Sequence, residues 1–301
     1  MRILVPVDGS VHSRSIVRFL GTRSTLLGQN PEIELLNVQY SIPEGIVQRF
    51  GLEAVREVYE AEGAKVFEQL EEALDEENLR AAKRVVYGEY GRAIACEAER
   101  IDADLIIMGT RGLSPIKSFF LGSVSQSVLQ YSRRPLLLIR ENLPPLKDSL
   151  EVMLAADNSS YGAACAHYVA KHAHLFGAEP SVDVVNAAFD YVALVAESQM
   201  DALSPTDDVG VFSKERDKLY AAAVNPPLDI LRSAGIRARD VKLEGSPADA
   251  LAQYAKTHCD IVVMGSHGYG NFTSAVLGST AMKLASEIEK PILIVRPQTA
   301  A

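Results

Sequence analysis

The pattern Gly109-Thr-Arg-Gly112, nine further residues, then Gly122-Ser123 returns later in the chain as Gly265-Ser-His-Gly268, nine residues, Gly278-Ser279. Every glycine is displaced by the same 156 positions. Each copy follows an apolar run, Asp104-Leu-Ile-Ile-Met108 or Asp260-Ile-Val-Val-Met264, that reads as a buried parallel strand, and each leads into residues with helical spacing. With glycine at about 7% of residues, three at fixed offsets arise by chance at roughly 3 positions in 10,000, or about 0.1 times in a chain this long. Two copies in the same context therefore mark a duplicated unit. Strand, glycine turn, helix is also a phosphate-binding order. The first two glycines let the backbone turn at the strand's carboxyl end. The third, at a helix start and with a positive φ, lets a phosphate approach N–H groups that have no intrahelical partner. A pair of tight turns that bind nothing would have no use for a glycine thirteen residues after the first.

The rest of the chain repeats around that pattern. Ile3-Leu-Val-Pro-Val7 reads as a strand ending at Asp8-Gly9-Ser10, with a helix after it marked by Ile16, Phe19, Leu20, Leu26 and Leu27 and capped by Ser10 or Ser13. A strand over 32–38, a long helix with Val55, Val58, Tyr59, Val66, Leu70 and Leu74 inward, a strand over 83–87, a helix lined by Ile94, Ala98 and Ile101, and a closing strand over 135–139 complete the first half. Leu143-Pro-Pro-Leu-Lys-Asp148 reads as a linker between domains at 1–142 and 149–301. The cycle then restarts with a strand at 151–157, a helix near 163–176 and strands at 181–185 and 236–243. Ser204-Pro-Thr-Asp-Asp208 suggests a loop, and Asn225-Pro-Pro227 is expected to interrupt any long helix in that region. Alternating strands and helices predict an α/β fold, two tandem units with a five-stranded parallel sheet each. Each half ends in bulky aliphatics, 136–139 and 292–295, that suit a pairing edge. The halves are expected to pack as a pseudo-twofold dimer within one chain, with further homodimerisation open to it.

Charge narrows the partners. Basic residues number 17 against 20 acidic up to Leu146, and 13 against 19 from Lys147 onward, so neither half is a basic module of the kind that holds nucleic acid. A nucleotide remains compatible, because backbone N–H groups and helix dipoles can hold its phosphates. No apolar run reaches the roughly 20 residues of a membrane span, and the chain opens directly on a strand, so a cytoplasmic location is expected. Cys96, Cys165 and Cys259 are too scattered for a disulfide framework or a zinc site. His12, His167, His172, His174 and His258 read as surface or packing residues.

The G-x2-G-x9-G-[ST] loop, the opening strand that ends Val-Asp-Gly-Ser, and the closing Arg-Pro-Leu-Leu-Leu-Ile-Arg resemble the universal stress protein family, in its tandem form. The resemblance covers nearly the whole chain and implies flavodoxin-like domains that bind ATP or another adenine nucleotide. It implies that Pro6 and Asp8 border the ribose and adenine, that Val38 gives backbone contacts to the base, that Gly109, Arg111 and Gly112, with Gly122, Ser123 and Val124, surround the phosphates, and that Met108 also belongs to the nucleotide site. The matching positions in the second half are Asp157, Ala187, Gly265, His267 and Gly268, with Gly278, Ser279 and Thr280. A carboxylate beside a phosphate loop suits a ribose hydroxyl or a magnesium ion, so a Mg site near Asp8 or Asp157 is a further expectation; helix capping by these residues is the plainer alternative.

The second half departs from the pattern. Ala155 stands for Pro6, Ala187 for Val38, and His267 for Arg111, whose permanent charge and planar fork suit phosphate better than a neutral imidazole. On that ground the first site is expected to be the tighter. A binding module for stress response is the leading reading. A slow ATP hydrolase or phosphotransferase, or a structural pseudo-dimer with an empty site, are the alternatives. There is no G-x4-G-K-[ST] loop, and no nucleophile or water-activating residue stands out.

Overall fold

The computed structural model describes residues 1–41, 44–110, 122–140, 143, 147, 149–188, 208–266 and 277–297. The first half runs β1 (Arg2–Pro6), α1 (Val11–Gly21), α2 (Ser24–Leu27), β2 (Glu32–Gln39), α3 (Glu44–Phe50), α4 (Leu52–Glu76), β3 (Ala82–Tyr87), α5 (Tyr90–Arg100), β4 (Leu105–Gly109), α6 (Ser123–Tyr131) and β5 (Leu136–Ile139). The second half runs β6 (Glu151–Ala155), α7 (Ser160–Lys171), a 3-10 turn (Ala173–Leu175), β7 (Ser181–Ala188), α8 (Asp208–Ser233), β8 (Arg237–Glu244), α9 (Pro247–His258), β9 (Ile261–Gly265), α10 (Ser279–Glu287) and β10 (Ile292–Val295).

Among the described residues the strands form one sheet in the order β3-β2-β1-β4-β5-β10-β9-β6-β7-β8. Within each half every pairing is parallel. At the join β5 and β10 are antiparallel, with Leu137 opposite Leu293. Those two leucines are themselves 156 apart, so the duplicated strands meet on their own equivalent residue, as a twofold relation requires.

The central strands are apolar on both faces because helices cover both. Ile3, Val5, Leu105, Ile107, Leu137, Leu293 and Val295 point into one core cluster with helices α1, α4, α7 and α8. Leu4, Ile106, Met108, Leu136, Leu138, Ile292 and Ile294 point into the other, with α5, α6, α9 and α10. Both clusters run through the β5–β10 join, so the hydrophobic core is continuous from one half to the other. The outermost strands carry charge instead: Lys83 and Arg84 on β3, and Arg237, Asp240 and Lys242 on β8, a composition that discourages further strand addition.

Several local expectations are corrected. Leu26 and Leu27 belong to a separate short helix, because the chain turns at Thr22 and Arg23 before continuing. Val58 is exposed; Val55, Phe67, Leu70 and Leu74 make the buried stripe of α4. Pro226 and Pro227 lie inside α8 and do not end it. They remove two backbone donors, yet Ala223, Val224, Leu228 and Leu231 on the same helix are buried, and that apolar contact holds the helix together through the defect. The segment 190–207 and most of the expected linker lie outside the described residues.

The helix expected to reach Phe176 stops at Lys171, where His172 caps it and turns inward. His172 is buried against the Tyr168 ring, and the Tyr168 hydroxyl donates to Asp104 O of the first half at 3.1 Å. Burial pushes the His172 imidazole down to about 4, against a smaller upward pull from Asp104. The unfolded chain then takes up this proton near pH 6.5 while the folded one does not, so stability falls as the solution is acidified from 6.5 to 4, by about 3 kcal/mol. His172→Phe is expected to flatten that part of the pH–stability curve measured by urea unfolding. An unchanged slope would show that His172 is not the group responsible.

Candidate functional site

The carboxyl ends of β1 and β4 lie side by side, and the chain beyond each is held by side chains the sequence gives little reason to single out. Asn37, buried in β2, donates from Nδ2 to Val7 O at 2.9 Å; Asn186 in β7 does the same to Ala156 O, also at 2.9 Å. These amides lock the strand end just before Asp8 and Asp157. An asparagine inside an apolar strand, repeated at the spacing that relates Asp8 to Asp157, was the available signal.

Asp8 does not cap α1. Its Oδ1 accepts from Ser10 N at 3.0 Å and from Ser13 Oγ at 2.9 Å, while its own N–H donates to Ser13 Oγ at 3.1 Å. Burial pushes the carboxyl up, but the hydrogen bonds from Ser10 and Ser13 outweigh this and hold it below the ordinary aspartate value. The carboxylate is thus charged and rigidly aimed. Asp157 is held in the same manner by Ser159, through its N–H at 3.0 Å and its hydroxyl. Ser159 is also the cap of α7, accepting from Tyr161 N, whereas Ser10 at the start of α1 makes no side-chain cap.

Gly109 is the last residue of β4, paired with Ile139, and it makes no turn of its own. Its place is dictated by α1: a Cβ there would stand 2.6 Å from His12 Cβ and 3.2 Å from His12 C. Gly265 stands against Tyr161 in the same way, at 2.5 Å from Tyr161 Cβ. Both are glycines of close approach between strand and helix. His12, half-buried, therefore packs at the crevice, the packing role expected of it. Among the described residues its buried Nδ1 has no hydrogen-bond partner, nor has Thr110 Oγ1 one residue past Gly109 or the Ser10 hydroxyl.

Gly122 is a different kind of glycine. Its φ of −50° and ψ of 149° are open to any residue, which overturns the expectation of a positive φ, and Gly278 repeats them at −58° and 155°. Among the described residues no atom lies within 4 Å of where a Gly122 Cβ would stand. Among the described residues neither α6 nor α10 has a side-chain cap, and the first N–H groups, those of Ser123 and Val124 or Ser279 and Thr280, have no intrahelical partners. Gly278 N donates to Ser266 O at 2.8 Å, which ties the start of α10 to the end of β9.

Pro6 ends β1, Met108 is a buried residue of β4, and Val38 and Ala187 lie toward the carboxyl ends of β2 and β7, two positions past the partners of Pro6 and Ala155. Asp8, Gly109, Gly122, Ser123 and Val124 thus share the carboxyl end of the first half, and Asp157, Gly265, Gly278, Ser279 and Thr280 that of the second. Arg111, Gly112, His267 and Gly268 lie outside the described residues. Among the described residues, no group of three or more histidine, cysteine or acidic side chains gathers as a metal centre would. Because β5 and β10 are antiparallel, the two crevices open on opposite edges of the sheet. An open groove of about 650 Å³ at the amino end of β1 and β2 is not a rival: its Arg2 is paired with Asp102 at 2.5 Å and its Arg100 with Glu34 at 2.6 Å. No helix among the described residues is long and apolar enough to cross a membrane.

Comparison with known proteins matches residues 1–140 and 151–296 each to the family described as "Universal stress protein family". A universal stress protein of Mycolicibacterium smegmatis is 26% identical over 308 residues, covering 98% of this chain and 97% of the relative. One of Mycobacterium tuberculosis is 26% identical over 324 residues, covering 99% and 96%. Among solved structures, a universal stress protein from Archaeoglobus fulgidus superposes with a TM-score of 0.69 at 19% identity, covering 98% of both chains.

Proposed function

Because the chain belongs to the universal stress protein family, with a matching unit in each half, we propose that it is a regulatory module that binds an adenine nucleotide, ATP in the first instance, in each of its two crevices. The domains of the reading are 1–142 and 149–301, acting as a pseudo-dimer within one chain. The observation that carries it is the arrangement at the first crevice: a helix start without a side-chain cap and, among the described residues, no atom within 4 Å of a Gly122 Cβ and two buried polar atoms, His12 Nδ1 and Thr110 Oγ1, without a partner. Phosphate oxygens supply what such donors lack, and the dipole of α6 adds to their attraction.

In this reading Asp8 and Asp157 accept from ribose hydroxyls, since each carboxylate is already oriented by a serine. A magnesium ion at Asp8 would take its remaining ligands from phosphates and water, as this metal commonly does. The backbone beside Val38 and Ala187 receives the base.

Calorimetry with ATP and with adenosine tests the assignment. ATP is expected to bind about a hundredfold more tightly, because two charge-assisted hydrogen bonds at about 1.5 to 3 kcal/mol each depend on the phosphates. Equal affinities would remove the phosphate from the α6 start.

A further inference from the structure

Arg296 follows β10 directly, and β10 lies parallel to β9 with Val295 opposite Gly265; Ser266 N donates to Val295 O at 3.3 Å. The arginine therefore stands beside the glycine that opens the second loop. By the alternation of the strand it shares the face of Ile292 and Ile294, which is the face that packs against α10. Its Nη1 donates to Ser132 O, at the end of α6 in the first half, at 3.1 Å. Nε and Nη2 are sealed from solvent and have no hydrogen-bond partner among the described residues. Tyr161, packed on Gly265, is an electrostatic neighbour of the same guanidinium.

The twin of this residue is Arg140, 156 positions earlier, and it too bonds across the join, donating from Nη2 to Ala285 O of α10, one turn before the residue equivalent to Ser132. The surroundings of the two differ in sign. Burial disfavours the charge of both; the Glu289 carboxylate opposes this at Arg140, whereas at Arg296 the Arg133 charge reinforces it. Arg133 is the residue that the first half has in the place of Glu289. Arg140 thus has a carboxylate nearby, whereas Arg296 has a like charge nearby and, among the described residues, two buried donors unfilled. A buried guanidinium in that state is a strong receptor for an oxyanion, which its planar fork binds in bidentate fashion.

Deepening the two-site reading and resting on it, we propose that Arg296 is the phosphate-binding arginine of the second site, with Nε and Nη2 taking two oxygens of the nucleotide's phosphate tail. The second half then does not depend on the residue at 267 for its cation. Through Nη1 the same guanidinium links the ligand to the first half at Ser132.

The test uses the full chain carrying Gly122→Val, so that only the second site is read. In that background Arg296→Gln is expected to weaken ATP about tenfold or more while leaving adenosine affinity unchanged. Arg296→Lys, which keeps the charge without the fork, is expected to fall between. Arg140→Gln, which removes the twin contact at the join, is expected to leave ATP affinity within about twofold. If Arg296→Gln and Arg296→Lys both bind ATP as tightly as their parent, or lose ATP and adenosine alike, the assignment of Arg296 is overturned and the second site stands. If Gly122→Val alone leaves no ATP binding at all, the second site and the role of Arg296 fall together.

Discussion

Gly122→Val is expected to reduce the ATP stoichiometry from two to one while the protein stays folded. The backbone at Gly122 is in a region that valine adopts freely, and among the described residues nothing lies within 4 Å of the new Cβ. The folding cost is confined to the helix cap, where valine is a poorer residue than glycine by about 1 kcal/mol, a shift of a few degrees in Tm. The ligand meets the full obstacle. The isopropyl group stands in front of the Ser123 and Val124 N–H groups, and loss of their bonds to phosphate corresponds to about a hundredfold or more in affinity.

Gly109→Val, in the same motif, is expected to do the reverse. Its Cβ would stand 2.6 Å from His12 Cβ and 3.3 Å from His12 O, so the backbone of α1 must shift, at a cost of about 1 to 3 kcal/mol, before any ligand is considered. Calorimetry and thermal melting on the two variants separate the roles. Two-site binding by Gly122→Val would sink the placement of the phosphate.

Leu293→Asp is expected to be the most damaging single substitution for the fold. Leu293 is fully buried, pairs with Leu137 at the join, and lies in the core cluster that runs through both halves. Removing its apolar side chain costs about 2 to 3 kcal/mol. The carboxyl that replaces it must be buried neutral or unpaired, which brings the total to about 5 kcal/mol. Arg237→Asp, on the edge strand β8, is expected to stay within about 0.5 kcal/mol of the parent. Urea unfolding of both variants is the measurement. A loss below about 1 kcal/mol for Leu293→Asp would mean that β10 does not lie in the middle of the sheet. The same join carries the bonds of Arg140 and Arg296, so it also connects the surroundings of one crevice to the helix of the other.

What the sequence determined by itself was the duplication and the place of the most apolar strands and periodic helices, though not every helix boundary or backbone angle. Apolar runs bounded by glycine and proline located β1, β4, β5, β6, β9 and β10, and the helical spacing of Ile94 and Ala98 located α5, because burial on a strand or helix leaves its period in the order of residues. The common displacement of 156 disclosed the duplication and aligned the two loops before any contact was known.

The tertiary structure alone decided which glycine does what. Gly109 and Gly122 are the same residue in one motif, yet one is pressed against His12, far away in sequence, and the other has no atom of the described residues within 4 Å of its would-be Cβ. It also brought His12 and Asn37 to the crevice and set Arg296 beside Gly265, since these meetings depend on strand pairing over tens to hundreds of residues. Helix α8 continues through Pro226 and Pro227 because its buried face is contributed by other elements, a stabilisation that local propensity does not contain. The antiparallel register at Leu137 and Leu293 is of the same kind. Bulky aliphatics make a pairing edge possible, but the partner and direction follow from the packing of two complete halves around a shared core.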